Sequence, residues 1–132
     1  MPVTPMNQPE PQPLPATSPT TFLTVVTTVE SQPEAQHMAR ALVERGLVAC
    51  AQISEIESFY PWDGAVQHTQ EFRLLFKTTR ARYAALAQAI RELHAYELPA
   101  IHACAIEEIY APYAAWVENN CQEPPLGLHA KK

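Results

Sequence analysis

His94 and Glu97 are the residues of this chain best suited to meet a metal ion, because an imidazole and a carboxylate stand in one short segment, His94-Ala95-Tyr96-Glu97. A transition-metal site needs several such donors converging. The remaining histidines, His37, His68, His102 and His129, have no i, i+4 or short-loop pairing, so local metal spacing is absent, although a trimer can bring further ligands from another subunit. The plainer reading of His94, a side chain stabilised by the last carbonyls of a helix, is favoured over the ligand reading. For a small bound molecule the candidates are Lys77, Tyr96, Glu97 and Trp62. Lys77 ends one strand while Tyr96-Glu97 leads into another, so both can line one cleft. Trp62, beside a hairpin turn, offers a ring for stacking, although a subunit interface uses the same large amphipathic rings and is the favoured role.

Catalysis finds no support. There is no Gly-rich phosphate loop, no Gly-x-Ser-x-Gly, no adjacent nucleophile and base, and only 3 glycines in all. The expectation is a protein that is not an enzyme. The 3 cysteines are far apart, which suggests neither a disulfide framework nor a zinc knuckle and fits reduced thiols in the cytosol. Cys50 and Cys104 sit in Ala-Cys-Ala contexts and read as small buried hydrophobes, whereas Cys121, near the end of the domain, reads as the thiol most open to oxidation.

The elements that must position these residues are legible from pattern. Phe22 to Val29 is rich in β-branched residues and lacks Gly and Pro, a strand. Ser31-Gln32-Pro33-Glu34 reads as a capping box opening a helix over about 32–45, with Ala35, Met38, Ala39, Leu42 and Val43 at helical spacing and Gly46 closing it. Extended segments at 48–53 and 56–62 run into Asp63-Gly64, a hairpin dipeptide, and return as 65–79. In that return strand Phe72, Leu74 and Phe76 share one face, opposite Glu71, Arg73, Leu75 and Lys77. Thr79 is placed to cap a second helix ending near His94. A fourth strand is expected at 100–107 and a short helix at 111–120, with Pro112 in its first turn.

The order β-α-β-β-α-β plus a last helix is that of an α+β, ferredoxin-like fold, with an antiparallel sheet carrying helices on one face. The other face, with Val26, Leu75 and Ile106, makes an apolar patch that association of like chains would cover. Residues 1–21 hold 7 of the 13 prolines and are expected to be a disordered tail, with a Pro-rich ligand for an unidentified protein partner as the sharper alternative. Residues 22–121 form the domain, and 122–132 a second, flexible tail.

The formal charge is −5 and the 9 Lys and Arg residues form no basic stripe, which argues against nucleic acid. No apolar run approaches the roughly 20 residues needed to span a bilayer, and no secretory leader is apparent, so no membrane association and a cytoplasmic location are expected.

Particular strings go further: Arg40 to Ala51 with its helix-to-strand passage ending in Ala49-Cys50-Ala51, Phe59-Tyr60-Pro61-Trp62-Asp63-Gly64, the strand from Glu71 to Lys77-Thr78-Thr79, and His94-Ala95-Tyr96-Glu97-Leu98-Pro99. In order and spacing these resemble the CutA divalent-cation tolerance family. The resemblance covers Phe22 to about Asn119 and implies a ferredoxin-like subunit, a tight homotrimer whose long hairpins pair with neighbouring subunits, and a role in tolerance to copper and other divalent metals. It implies weak binding of a divalent ion, copper or zinc, at intersubunit clefts near His94, Glu97 and Lys77. An alternative is a trimeric ligand-sensing or scaffold protein, similar to the nitrogen-signalling trimers of the same fold. This sequence departs from the family at Ala95 and Ala100, where a Pro and an acidic residue are usual. At the position of a Cys proposed as a ligand in some relatives it has Thr27, and only His94, preceded by Leu93, remains of a His pair.

Overall fold

The β-branched run from Phe22 to Val29 does form a strand, β1, and everything else is arranged around it in the computed structural model, which describes residues 19–122. The remaining elements follow as α1 (Gln32–Glu44), β2 (Cys50–Trp62), β3 (Ala65–Thr79), α2 (Arg80–Leu93), β4 (His102–Ala105) and α3 (Ala111–Asn119). The four strands make one antiparallel sheet in the order β2-β3-β1-β4, the ferredoxin-like arrangement expected. Apart from residues 19–21 and 122, both expected tails lie outside the described residues.

Side chains alternate across a strand, so the pairing of β1 with β3 decides which residues form the core. Leu23, Val25, Thr27 and Val29 stand opposite Thr78, Phe76, Leu74 and Phe72 respectively. That face meets Ala35, Met38 and Leu42 of α1 and Leu86, Ala89 and Ile90 of α2. Full burial of a large apolar side chain is worth about 1.5–3 kcal/mol, which makes this layer the main stabilising term of the chain.

α1 begins as its sequence dictates: Ser31 Oγ accepts the Glu34 amide at 3.2 Å, with Pro33 in the first turn. The second half of the capping box is absent. Glu34 Oε2 instead accepts the backbone N–H of Ala95 at 3.3 Å, tying the helix start to the segment after α2. Thr79 makes no side-chain cap for α2, because it is buried at the end of the sheet. β2 is one continuous strand rather than two pieces, and it tolerates Pro61 because it lies at the sheet edge. β4 is only four residues long and exposed, shorter than the sequence pattern suggests.

The last helix covers one corner of the opposite sheet face. Phe22, Ala49, Val117 and Cys121 are buried together there, with Tyr113 and Ile106 against them. This reverses the reading of the thiols. Cys121 is buried, and burial pushes its thiol above the ordinary value, whereas Cys104 on the edge strand is exposed and Cys50 is half-buried near the Tyr113 hydroxyl. Helix position, invisible in the local sequence, decides which thiol solvent reaches.

Two glycines take positive φ, Gly46 (70°) and Gly64 (78°), the latter following Asp63 (53°) in the two-residue hairpin turn. Their surroundings differ. A Cβ on Gly46 would stand 2.8 Å from the Gln122 carbonyl oxygen, while one on Gly64 would meet open space. Gly46→Ala is therefore expected to lower the urea unfolding midpoint by the equivalent of about 2–3 kcal/mol, against about 1 kcal/mol for Gly64→Ala. Equal losses for the two variants would show that the contact at Gly46 is unimportant.

Candidate functional site

Beyond the helices, β2 and β3 run on as a two-stranded hairpin, paired from Cys50↔Lys77 out to Trp62↔Ala65. The segment following α2 turns back across the end of β1 to face this hairpin. Between them lies a cavity of about 730 Å³, bounded by Tyr60 and Trp62 on the hairpin, Glu71 on β3, and Tyr96, Glu97 and Leu98 on the returning segment. Three of the expected site residues, Trp62, Tyr96 and Glu97, thus share one wall system.

His94 fixes the turn that brings them there. Its Nε2 lies 2.8 Å from the Thr28 carbonyl, which can only accept, and its Nδ1 lies 3.1 Å from the Tyr96 backbone N–H, which can only donate. The ring is accordingly the Nε2–H tautomer with both nitrogens engaged. Its plane tilts 42° against the Tyr96 ring at 4.9 Å between centroids. The structural role favoured for His94 from sequence is the one its geometry supports, and a metal ion at either nitrogen would have to displace one of these bonds.

Tyr96 in turn donates its hydroxyl to Glu71 Oε2 at 2.6 Å. Glu71 is only 7% exposed, and among the described residues no Lys, Arg or His nitrogen comes within 4.0 Å of it. Burial first, then the hydrogen bond and charge of Glu71, push the Tyr96 phenol well above the ordinary tyrosine value. Sequence reading missed Glu71 because it occupies a polar position in an alternating strand. Only the return of residues 94–100 over the sheet buries it, and no local pattern signals that.

Lys77 is not brought to this cavity. It lies six residues along β3 from Glu71, about 20 Å at 3.3 Å per residue, and its Nζ donates to Gln52 Oε1 at 3.3 Å. Thr27 is elsewhere again: its side chain is in the core beneath the sheet, fully buried, with Oγ1 lacking a partner among the described residues. His68 stacks on Phe59 at 4.1 Å and pairs with Glu57 at 3.3 Å on the exposed hairpin. Among the described residues no three His, Cys, Asp or Glu side chains converge as a metal cage. Among the described residues one chain does not assemble a divalent-ion site: His94 has both ring nitrogens engaged, which leaves Glu97 and the second oxygen of Glu71 as the carboxylate donors at the cavity.

Comparison with known proteins is consistent across sequence and structure. The family model described as CutA1 divalent ion tolerance protein matches residues 23–120. A Thermotoga maritima protein described as divalent-cation tolerance protein CutA is 35% identical over 83 residues, which cover 63% of this chain and 82% of that protein. The solved structure of CutA from Synechococcus elongatus superposes with a TM-score of 0.76 at 34% identity, covering 77% of this chain and 91% of that one. The divalent cation tolerance protein from Thermus thermophilus gives 0.74 at 37% identity, with 76% and 99% covered. The Archaeoglobus fulgidus structure, described as a periplasmic divalent cation tolerance protein CutA, gives 0.75 at 29%, with 76% and 99% covered.

The Tyr96–Glu71 bond sets two expectations. Tyr96→Phe leaves a buried carboxylate without its donor and should destabilise the fold by about 1–3 kcal/mol at pH 7, read from urea midpoints. A raised folded-state value means that the protonated phenol's contribution is whole below pH about 10 and is lost as pH rises further, when the unfolded tyrosine ionises first. The wild type should therefore lose more stability than Tyr96→Phe between pH about 10 and about 12; parallel losses would refute the assignment.

Proposed function

The chain belongs to the CutA1 divalent ion tolerance family, and from that premise we propose that it serves tolerance to divalent cations, copper and zinc foremost, as a cytoplasmic homotrimer that binds the ion weakly as cargo and does not catalyse a reaction. The observation that carries this reading is the unfinished state of the single chain. Glu97 stands free at a cavity in which, among the described residues, no set of donors converges, which supports a site whose remaining donors come from neighbouring subunits. Large apolar groups support the same assembly, among them Phe59 at 65% exposed, Trp62 at 51% and Leu98 at 73%, all on the hairpin or the segment facing it. Among the described residues both sheet edges, β2 and β4, also keep unpaired backbone groups that a neighbouring chain can satisfy.

A second reading has a specific observation in its favour. A cavity of about 730 Å³ with aromatic and carboxylate walls has the size of a small-molecule site, which fits a ligand-sensing trimer like the nitrogen-signalling proteins of the same fold.

Sedimentation equilibrium should give three times the 14.7 kDa of one chain, and a stable single subunit at micromolar concentration would overturn the assembly. Calorimetric titration of the untagged protein with copper and zinc should show weak, saturable binding that Glu97→Gln reduces several-fold. Absence of heat at millimolar metal would remove direct binding while leaving the family assignment intact. Fractionation of cells expressing the full chain should recover it with the cytosol; recovery with the periplasm or membranes would overturn the location.

A further inference from the structure

The geometry points to the hairpin cavity as a binding site for a protonated amine with an apolar body, its ammonium group on the Glu71 carboxylate and its hydrocarbon against Trp62 and Leu98. This goes beyond metal tolerance and does not depend on it. The first ground is Glu71. A carboxylate that is only 7% exposed, lines a cavity and has no cationic nitrogen within 4.0 Å among the described residues lacks the counter-charge that burial ordinarily requires. Tyr96 satisfies Oε2 alone, as a neutral donor, and the rest of the group is left to the cavity.

The second ground is the sign of the walls. Glu71 and Glu97 both line the cavity, and among the described residues no Lys, Arg or His does, so phosphates and carboxylates are repelled. The third is the character of the walls. Tyr60, Trp62 and Tyr96 are among the lining residues, and aromatic rings attract an organic ammonium through their quadrupoles. Leu98 adds apolar surface on which a hydrocarbon body packs. The fourth is size: about 730 Å³ falls within the range of small-ligand sites and far exceeds what a bare ion needs.

The probe is hexylammonium chloride at pH 7, with 1-hexanol as its neutral counterpart. Trp62 is one of 2 tryptophans, so Trp116→Phe leaves its fluorescence as the sole indole signal of the assembled full-length protein. Hexylammonium should quench it saturably, with a dissociation constant at least tenfold below that of hexanol. Glu71→Gln should weaken the amine at least tenfold and leave hexanol unchanged. Glu97→Gln, at an exposed position, should weaken the amine several-fold and keeps the test open if the Glu71 variant does not fold. Equal affinity for amine and alcohol, no saturation, or amine binding indifferent to both substitutions would overturn the proposal; the last two are the results expected if a side chain of a neighbouring subunit fills the cavity. Sedimentation and copper titration of the same samples separate this outcome from failure of the metal-tolerance reading, since either can fail with the other intact.

Discussion

The pairing of β1 with β3 is the constraint on which the rest of the molecule depends. Because successive side chains of a strand point to opposite faces, the register that sets Val25 beside Phe76 commits all four core positions of β1 to the helices at once. A slip by one residue would turn them outward and bring Thr24, Val26 and Thr28 onto Met38 and Leu86. The same register places Thr28 opposite Arg73 and so brings the end of β1 level with Glu71, the floor of the cavity. Core and site are thus two faces of one alignment.

What holds the site in shape is a small set of directional bonds rather than a hydrophobic cluster. Three of them meet the segment after α2: Thr28 carbonyl to His94, Glu34 carboxylate to the Ala95 amide, and Tyr96 hydroxyl to Glu71. Each is worth about 1 kcal/mol, more where a charge is involved, so the segment is held from β1, α1 and β3 together. Ala95 contributes a backbone N–H that a proline there would lack, and that N–H is the group Glu34 accepts.

The elements were legible in the sequence wherever one residue class repeated. β1 and β3 follow from β-branched composition and strict alternation, α1 from its cap and apolar spacing, and the turn from Asp63-Gly64, because each is decided by neighbours in the chain. Of the cavity walls, Trp62, Tyr96 and Glu97 were singled out from the sequence by residue chemistry. Lys77 lies away from the cavity within one chain, because the end of a strand says nothing about which end of the sheet the returning segment reaches. Glu71, the placement of α3 and the exposures of Cys104 and Cys121 escaped for one reason: each depends on what lies across the sheet, a relation between distant parts of the chain.

The hairpin beyond Phe72 has no core of its own. From Glu57 to Gln70 its side chains are exposed or half-buried on both faces, and its order rests on strand pairing, the two-residue turn and the stack of Phe59 on His68. Such a ribbon has little to resist fraying, so its amides record how firmly it is covered. Deuterium uptake along these residues would act as a built-in gauge of assembly, fast where the ribbon stands alone and slow wherever another surface closes over it.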